Sequence, residues 1–300
     1  MCVCYNPAEM GTLFLVATPI GNLEDMSARA LRVLREVPLV AAEDTRQTRK
    51  LLSHFGLHTP LVAYHEHNKI TRLDVVLDAL ARADVALVSD AGTPGLNDPG
   101  YELVRAAIES GHTVVPVPGA SAPIVALVAS GLPTDRFFYL GYLDRRASAR
   151  RTQLAGVATL DATLVALEAP HRLVESLRDV RAVLGDRLMA VAREMTKLHE
   201  EIRRGSVSAV LDHFEAHVPR GELTLVIAGA PPEKVSAWDE ARVRDEVSAR
   251  IAAGRSPTEA SADVARNSGW SRRSVYRLAT GVPTAGNVRR RRKGTTQEGR

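Results

Sequence analysis

The chain has 300 residues and a mass of 32.5 kDa, more than one compact core usually organises, so two domains and a smaller third part are expected. Apolar residues make up 45% and charged ones 25%, which excludes a mainly disordered chain, and no uncharged apolar run has the length of a membrane span. Cys2 and Cys4 are too close for a useful disulfide and too few for a zinc site. Together with the lack of a basic-then-apolar leader, this predicts a cytoplasmic protein without a metal. The net charge of +4 is unevenly placed. The tail 286–300 holds Arg289, Arg290, Arg291, Arg292, Lys293 and Arg300 against Glu298, a net +5 that leaves −1 on the rest. Such a tail serves either as a salt-sensitive contact to a polyanion or as a solvated, disordered end.

In chain order, short Val- and Leu-rich runs at 13–17, 39–42, 61–64, 85–88 and 114–117 read as strands. Stretches with apolar spacing of three and four, at 28–37, 46–55, 70–82 and 101–110, read as helices between them. This alternation implies crossover connections and a mostly parallel sheet with helices on both faces. After the breaker Gly131-Leu132-Pro133, strands are expected at 137–140, 163–167, 188–192 and 223–228, and helices at 147–156, 172–184 and 206–213. Residues 194–205 read as a hairpin or a loop. Ala230 to Lys234 is a linker by composition. Beyond it, Ser256-Pro257-Thr258-Glu259 starts a helix with an N-cap, a proline at the first position and a capping-box glutamate. Gly269 ends that helix and a further one spans 271–280, giving a helix-turn-helix-like shape. The expected organisation is an extension at 1–11, α/β domains at 12–119 and 120–230, a helical module at 238–281 and the basic tail.

Four loops at strand ends carry candidate chemistry, because ligands of parallel sheets bind beyond the carboxyl ends of the strands. Thr18-Pro19-Ile20-Gly21-Asn22-Leu23 is a tight loop that fits neither dinucleotide nor nucleotide phosphate fingerprints. In Glu43-Asp44-Thr45-Arg46, Asp44 serves either as a helix cap or as a site carboxylate, whereas Glu43 is harder to explain as a cap. Arg46, Arg49 and Lys50 serve either as phosphate contacts or as a solvated face. Ser89 to Gly100 holds three glycines, two prolines and two aspartates, the composition of a ligand loop or of a rigid connector. Pro118-Gly119-Ala120-Ser121-Ala122 offers small side chains through which backbone can grip a flat ligand. His65 and His67 share a face in Tyr64-His65-Glu66-His67-Asn68, but no third metal ligand accompanies them.

Taken in order, these loops resemble the ribosomal RNA small subunit methyltransferase I family, a branch of the tetrapyrrole-methylase-like enzymes. The second half adds Ser130-Gly131-Leu132-Pro133, Asp135-Arg136-Phe137, Glu168-Ala169-Pro170-His171-Arg172-Leu173 and Ala192-Arg193-Glu194-Met195-Thr196-Lys197. The resemblance covers about 11–229. It departs from the family pattern at Gly95-Leu96-Asn97 and at Met195. It implies two α/β domains of the tetrapyrrole methylase type with a cleft between them, S-adenosyl-L-methionine as cofactor, and a homodimer. Cofactor contacts are implied for Pro19, Gly21, Asp90, Ala91, Gly92, Thr93, Pro94, Gly119, Ala120, Ser121 and Ala122. The implied reaction methylates the ribose 2′-hydroxyl of a cytidine of 16S rRNA in the small ribosomal subunit, cytidine 1402 at the decoding centre.

A ribose hydroxyl is a poor nucleophile, so a general base or a cation beside the developing alkoxide is expected. Glu43, Asp44, His65, Glu168 and His171 are candidate bases and Lys197 a candidate cation. Arg46, Arg49, Lys50 and Arg172 are candidates for the RNA backbone. With 13 aromatic side chains, extensive base stacking is not expected. Two alternatives are a tetrapyrrole or diphthine-type methyltransferase on the same scaffold, and a non-catalytic RNA-binding protein.

Overall fold

The computed structural model describes residues 10–65, 69–98, 100–217, 219–231 and 238–281. The basic tail, most of the N-terminal extension, Glu66, His67, Asn68, Pro99 and most of the linker therefore lie outside the described residues. The chain divides into two units, Met1–Ala230 and Pro231–Arg300.

The first half of the larger unit alternates strand and helix: β1 (Thr12–Val16), α1 (Ala28–Glu36), β2 (Leu39–Ala42), α2 (Thr45–His54), β3 (Leu61–Ala63), α3 (Lys69–Leu80), β4 (Val85–Val88), α4 (Tyr101–Glu109) and β5 (Thr113–Val117). The strands form one sheet in the order β3-β2-β4-β1-β5, and every pair is parallel. Along β4, Val85 and Leu87 face a core built with Val76, Leu80, Leu103 and Ala107 of α3 and α4. Ala86 and Val88 face the opposite core, with Ala30, Val33, Leu34 and Leu52 of α1 and α2. Both faces of the strand are covered, which explains its unbroken apolar sequence.

The second half begins with α5 (Ala122–Ser130) and continues through β6 (Phe137–Tyr142), α6 (Ala147–Ala155), β7 (Thr163–Glu168), α7 (Leu173–Leu184), β8 (Leu188–Arg193), β9 (Glu201–Ser206), α8 (Val207–Ala216) and β10 (Leu223–Ile227). The sheet order is β6-β7-β10-β8-β9, with β6 parallel to β7 and the other pairs antiparallel. The stretch 194–205 resolves as a hairpin, since Glu201–Ser206 pairs back on β8. One face of this sheet packs on α6, α7 and α8, burying Leu154, Leu177, Val191, Val210, Phe214 and Leu225. The other packs on Ala126 and Leu127 of α5, and Ile20 from the loop after β1 inserts into that same core. A buried ion pair braces the helical layer. Arg150, 2% exposed, meets Asp179 Oδ2 at 2.6 Å, while Arg151 reaches Oδ1 at 2.7 Å.

The smaller unit holds α9 (Glu240–Ala252), α10 (Pro257–Ser268) and α11 (Arg272–Thr280). Val243, Val247, Ala260, Val264 and Val275 form its core. The Trp270 indole N–H donates to the Trp238 carbonyl at 2.6 Å, and the Arg242 guanidinium stacks 4.4 Å from the Trp238 ring centre. The capping box at Ser256 and Glu259 is formed, and Gly269 ends α10 in the left-handed conformation.

Candidate active site

The parallel sheet delivers four loops to one edge. In the order β3-β2-β4-β1-β5, the chain leaves β2 toward β3 on one side and leaves β4 toward β5 on the other, so the connections diverge between the neighbours β2 and β4. Backbone and side-chain bonds knit the loops together there. Thr18 and Gly92 exchange both backbone hydrogen bonds, at 2.9 and 3.0 Å, and Gly92 turns there with φ +84°. The Asp44 N–H donates to Asp90 Oδ1 at 3.0 Å, and the Asp90 N–H donates to Glu43 Oε2 at 3.1 Å. The Thr93 hydroxyl donates to the Ala120 carbonyl at 3.1 Å.

The loop after β1 also meets the second sheet's hairpin. The Asn22 N–H donates to Thr196 Oγ1 at 3.1 Å. A side chain at Gly21 has no room, because a Cβ there would lie 2.4 Å from Lys197 Cγ and 2.9 Å from the Met195 carbonyl oxygen.

These contacts frame a cavity of about 270 Å³. One wall is Glu43, Asp90, Ala91, Gly92, Thr93, Asp98, Ser121 and Ala122, and the facing wall is Tyr139, Tyr142, Leu167, Glu222, Leu223 and Thr224. A groove of about 610 Å³ shares Ile20, Asp90, Ala91 and Glu222 with it, and runs past Pro19, Gly21, Gln47, Lys50 and His54. A third hollow, of about 930 Å³, starts at Tyr142 and is bordered by Arg145, Arg146, His171 and Arg172.

The cavity is polar and anionic. Burial raises the Glu43 carboxyl above its usual range against the hydrogen bond from Asp90, with the Asp90 charge adding to the rise. Burial, then the charge of Glu43, pushes Asp98 up to about 6, although the Ser89 hydroxyl contact opposes the rise. Burial also pushes Tyr139 up to about 12. The Ser121 and Tyr139 hydroxyl oxygens are buried here and meet no hydrogen-bond partner among the described residues. A polar atom left so costs about 1–3 kcal/mol, so both are suited to a polar guest.

Most of the residues expected from sequence meet at this edge. Glu43, Asp90, Ala91, Gly92, Thr93, Ser121 and Ala122 line the cavity, and Pro19, Gly21 and Lys50 line the groove. Pro94, Gly119 and Ala120 support the loops without lining either. Lys197 lies by a small side hollow and is paired with Glu194 at 3.0 Å. His65 stands outside the cavity, near enough to Glu43 to favour its ionised form. Arg46 and Arg49 are exposed.

Two candidate bases have structural partners. Asp44 is the N-cap of α2: it accepts the Arg46 N–H at 2.8 Å and pairs with the Arg46 guanidinium, and these bonds hold its carboxyl below the usual range. Glu168 has no exposed side-chain surface. It takes Arg172 Nη2 at 2.5 Å, the Ala169 N–H at 2.8 Å and the Ser176 hydroxyl, which anchors the start of α7. With both oxygens bonded within the fold, it anchors the start of α7, and Arg172 is its counter-ion as well as a wall of the third hollow.

Asp98, Tyr139, Tyr142 and Glu222 are site residues that sequence reasoning did not assign. Glu222 reaches the cavity because β10 runs antiparallel beside β7, so its first residue, Leu223, lies opposite Glu168, the last residue of β7.

A parallel sheet whose loops close a cavity against a mixed second sheet is the architecture of the tetrapyrrole methylase class, and the profile of the tetrapyrrole (corrin/porphyrin) methylases matches residues 12–211. A cobalt precorrin-4 methyltransferase shares the fold with TM-score 0.56 and 15% identity, over 74% of this chain and 96% of that one. A diphthine synthase does so with TM-score 0.55 and 14% identity, over 73% and 90%. Relatives named ribosomal RNA small subunit methyltransferase I are far more similar. The Synechocystis sp. protein is 47% identical over 90% of this chain and 98% of its own length, and the Pseudomonas aeruginosa protein is 50% identical over 80% and 88%. That of Bacillus subtilis is 42% identical over 90% and 94%. The chain belongs to the ribosomal RNA small subunit methyltransferase I family.

Proposed function

We propose that this protein transfers the methyl group of S-adenosyl-L-methionine to the ribose 2′-hydroxyl of a cytidine in 16S rRNA, with the cavity as the cofactor site and the groove as the RNA site. The observation that carries this reading is the shared wall between a polar cavity and a wider groove bordered by Lys50, in a chain this similar to rRNA methyltransferases along nearly their whole length. The smaller cavity suits a small donor, and the wider groove suits a polymer that enters from outside.

The residues present fit the cofactor. The orphaned Ser121 and Tyr139 hydroxyls can bond its ribose or amino-acid groups, the carboxylates of Asp90, Glu43 and Asp98 favour a cation, and Gly92 and Ala122 leave room for an adenine ring. When bound, the group supplies an electrophilic methyl on a sulfonium, so much of the acceleration is a matter of positioning. Asp90 and Ala91, on the shared wall, fix where donor and acceptor meet. Lys50 in the groove, with Arg46 and Arg49 on the exposed face of α2, holds the RNA backbone by charge, so binding weakens as salt rises. Arg145, Arg146 and Arg172 give a second basic surface beyond Tyr142. A homodimer belongs to the same reading, supported by the exposed apolar side chains Val128, Phe137 and Phe138.

The test is tritium transfer from labelled cofactor to unmodified 30S particles, with uroporphyrinogen III as the competing acceptor. Label should appear in 16S rRNA as an alkali-resistant 2′-O-methylcytidine. Label in the tetrapyrrole alone refutes the reading.

A further inference from the structure

The cavity and the groove meet along a seam of four residues, Ile20, Asp90, Ala91 and Glu222. With the donor in one chamber and the acceptor in the other, the reacting atoms meet at that seam. Only Asp90 and Glu222 of the four can take a proton. Asp90 has one oxygen engaged, because its Oδ1 accepts the Asp44 N–H that latches two strand-end loops together. Glu222 has neither engaged. Its side chain is exposed, and among the described residues no hydrogen bond or ion pair occupies its carboxylate.

Its backbone, by contrast, is fixed. The Glu222 carbonyl accepts the Glu194 N–H at 3.3 Å, and the next residue, Leu223, pairs with both neighbouring strands. A free carboxylate on a held backbone is what a general base requires. Two other carboxylates, Glu43 and Asp98, line the cavity without reaching the groove, and Glu43 already receives the Asp90 N–H.

We propose that Glu222 is the general base that accepts the proton of the ribose 2′-hydroxyl, an assignment that rests on the reading of the cavity and groove given above. The oxygen's electron pair forms the new oxygen–carbon bond, the carbon–sulfur pair stays on sulfur, and the proton ends on a Glu222 oxygen. The positive charge of the donor and the negative charge of the carboxylate vanish together.

The test uses full-length wild-type, Glu222→Gln, Glu222→Asp and Asp98→Asn proteins in single-turnover transfer from tritiated cofactor to unmodified 30S particles between pH 6 and 9. Thermal melts and cofactor calorimetry accompany each variant. Glu222→Gln should lower the rate about 10²–10⁴-fold while cofactor affinity and the melt stay within error of wild type. Its residual rate should climb with pH where the wild-type rate levels off, as hydroxide replaces the lost base. Glu222→Asp should recover part of the rate. Wild-type transfer by Glu222→Gln, a loss confined to cofactor affinity, or a loss in Asp98→Asn alone would overturn the assignment and leave the methyltransferase reading standing. A wild-type protein that labels no rRNA at all would overturn both.

Discussion

Asp98→Asn should stabilise the protein in mildly alkaline solution and do little in acid. Asp98 lies beside Glu43 and Asp90 in a partly desolvated wall, and its carboxyl is pushed from about 3.8 up to about 6. Because the folded value is the higher one, the stability tied to neutral Asp98 is complete below about pH 3.8 and is lost as pH rises through about 6. The interval between these values corresponds to about 3 kcal/mol for a fully desolvated group. Asp98 is only half-buried, and screening by water reduces the expected gain at pH 8 to about 1–2 kcal/mol. That is a rise of about 2–6 °C in the melting midpoint for a chain of this size. Asparagine keeps the shape and can still meet the Ser89 hydroxyl, so packing contributes little to the difference. The assay is thermal and urea unfolding followed by circular dichroism at pH 5 and pH 8. An equal difference at both pH values, or a variant less stable at pH 8, would refute the electrostatic account of this wall.

Asp179→Ala removes the partner of the buried Arg150 guanidinium and leaves it the carbonyls of Asp144 and Arg145. Breaking such a pair costs about 3–5 kcal/mol, and a urea midpoint equal to wild type would contradict it. Gly21→Val drives a side chain into Lys197 and the Met195 carbonyl. It should cost about 1–3 kcal/mol and weaken cofactor binding, since the loop after β1 and the hairpin loop move apart. Calorimetry showing unchanged affinity together with an unchanged melt would refute that coupling.

Much of the first half was legible because parallel strands covered on both faces read as continuous apolar runs, as at Val85–Val88, and because strand-end turns need glycine and proline. The loops after β1, β2, β4 and β5 were therefore visible as site material before their convergence was. The second half was less legible. Pairing β10 between β7 and β8 is a non-local event with no local signature, and it is what carries Glu222 to the cavity. β9 escaped a firm assignment because Glu201, Arg203, Arg204 and Gly205 suit an exposed edge and not an apolar strand. Asp44, for which a cap was one of two readings, and Glu168 show the converse ambiguity. A carboxylate at a strand end looks like site chemistry, yet Arg46 two residues on and Arg172 four residues on were already in the sequence to occupy them.

Ultraviolet photolabelling with methyl-tritiated S-adenosyl-L-methionine, followed by peptide mapping, locates the cofactor on the chain. Label is expected on peptides containing residues 89–98 and 118–123 or the facing Tyr139 and Tyr142, competed away by unlabelled cofactor. Competable label confined to peptides from 238–281, or none on the loops that close the cavity, would contradict the placement of the cofactor in the cavity.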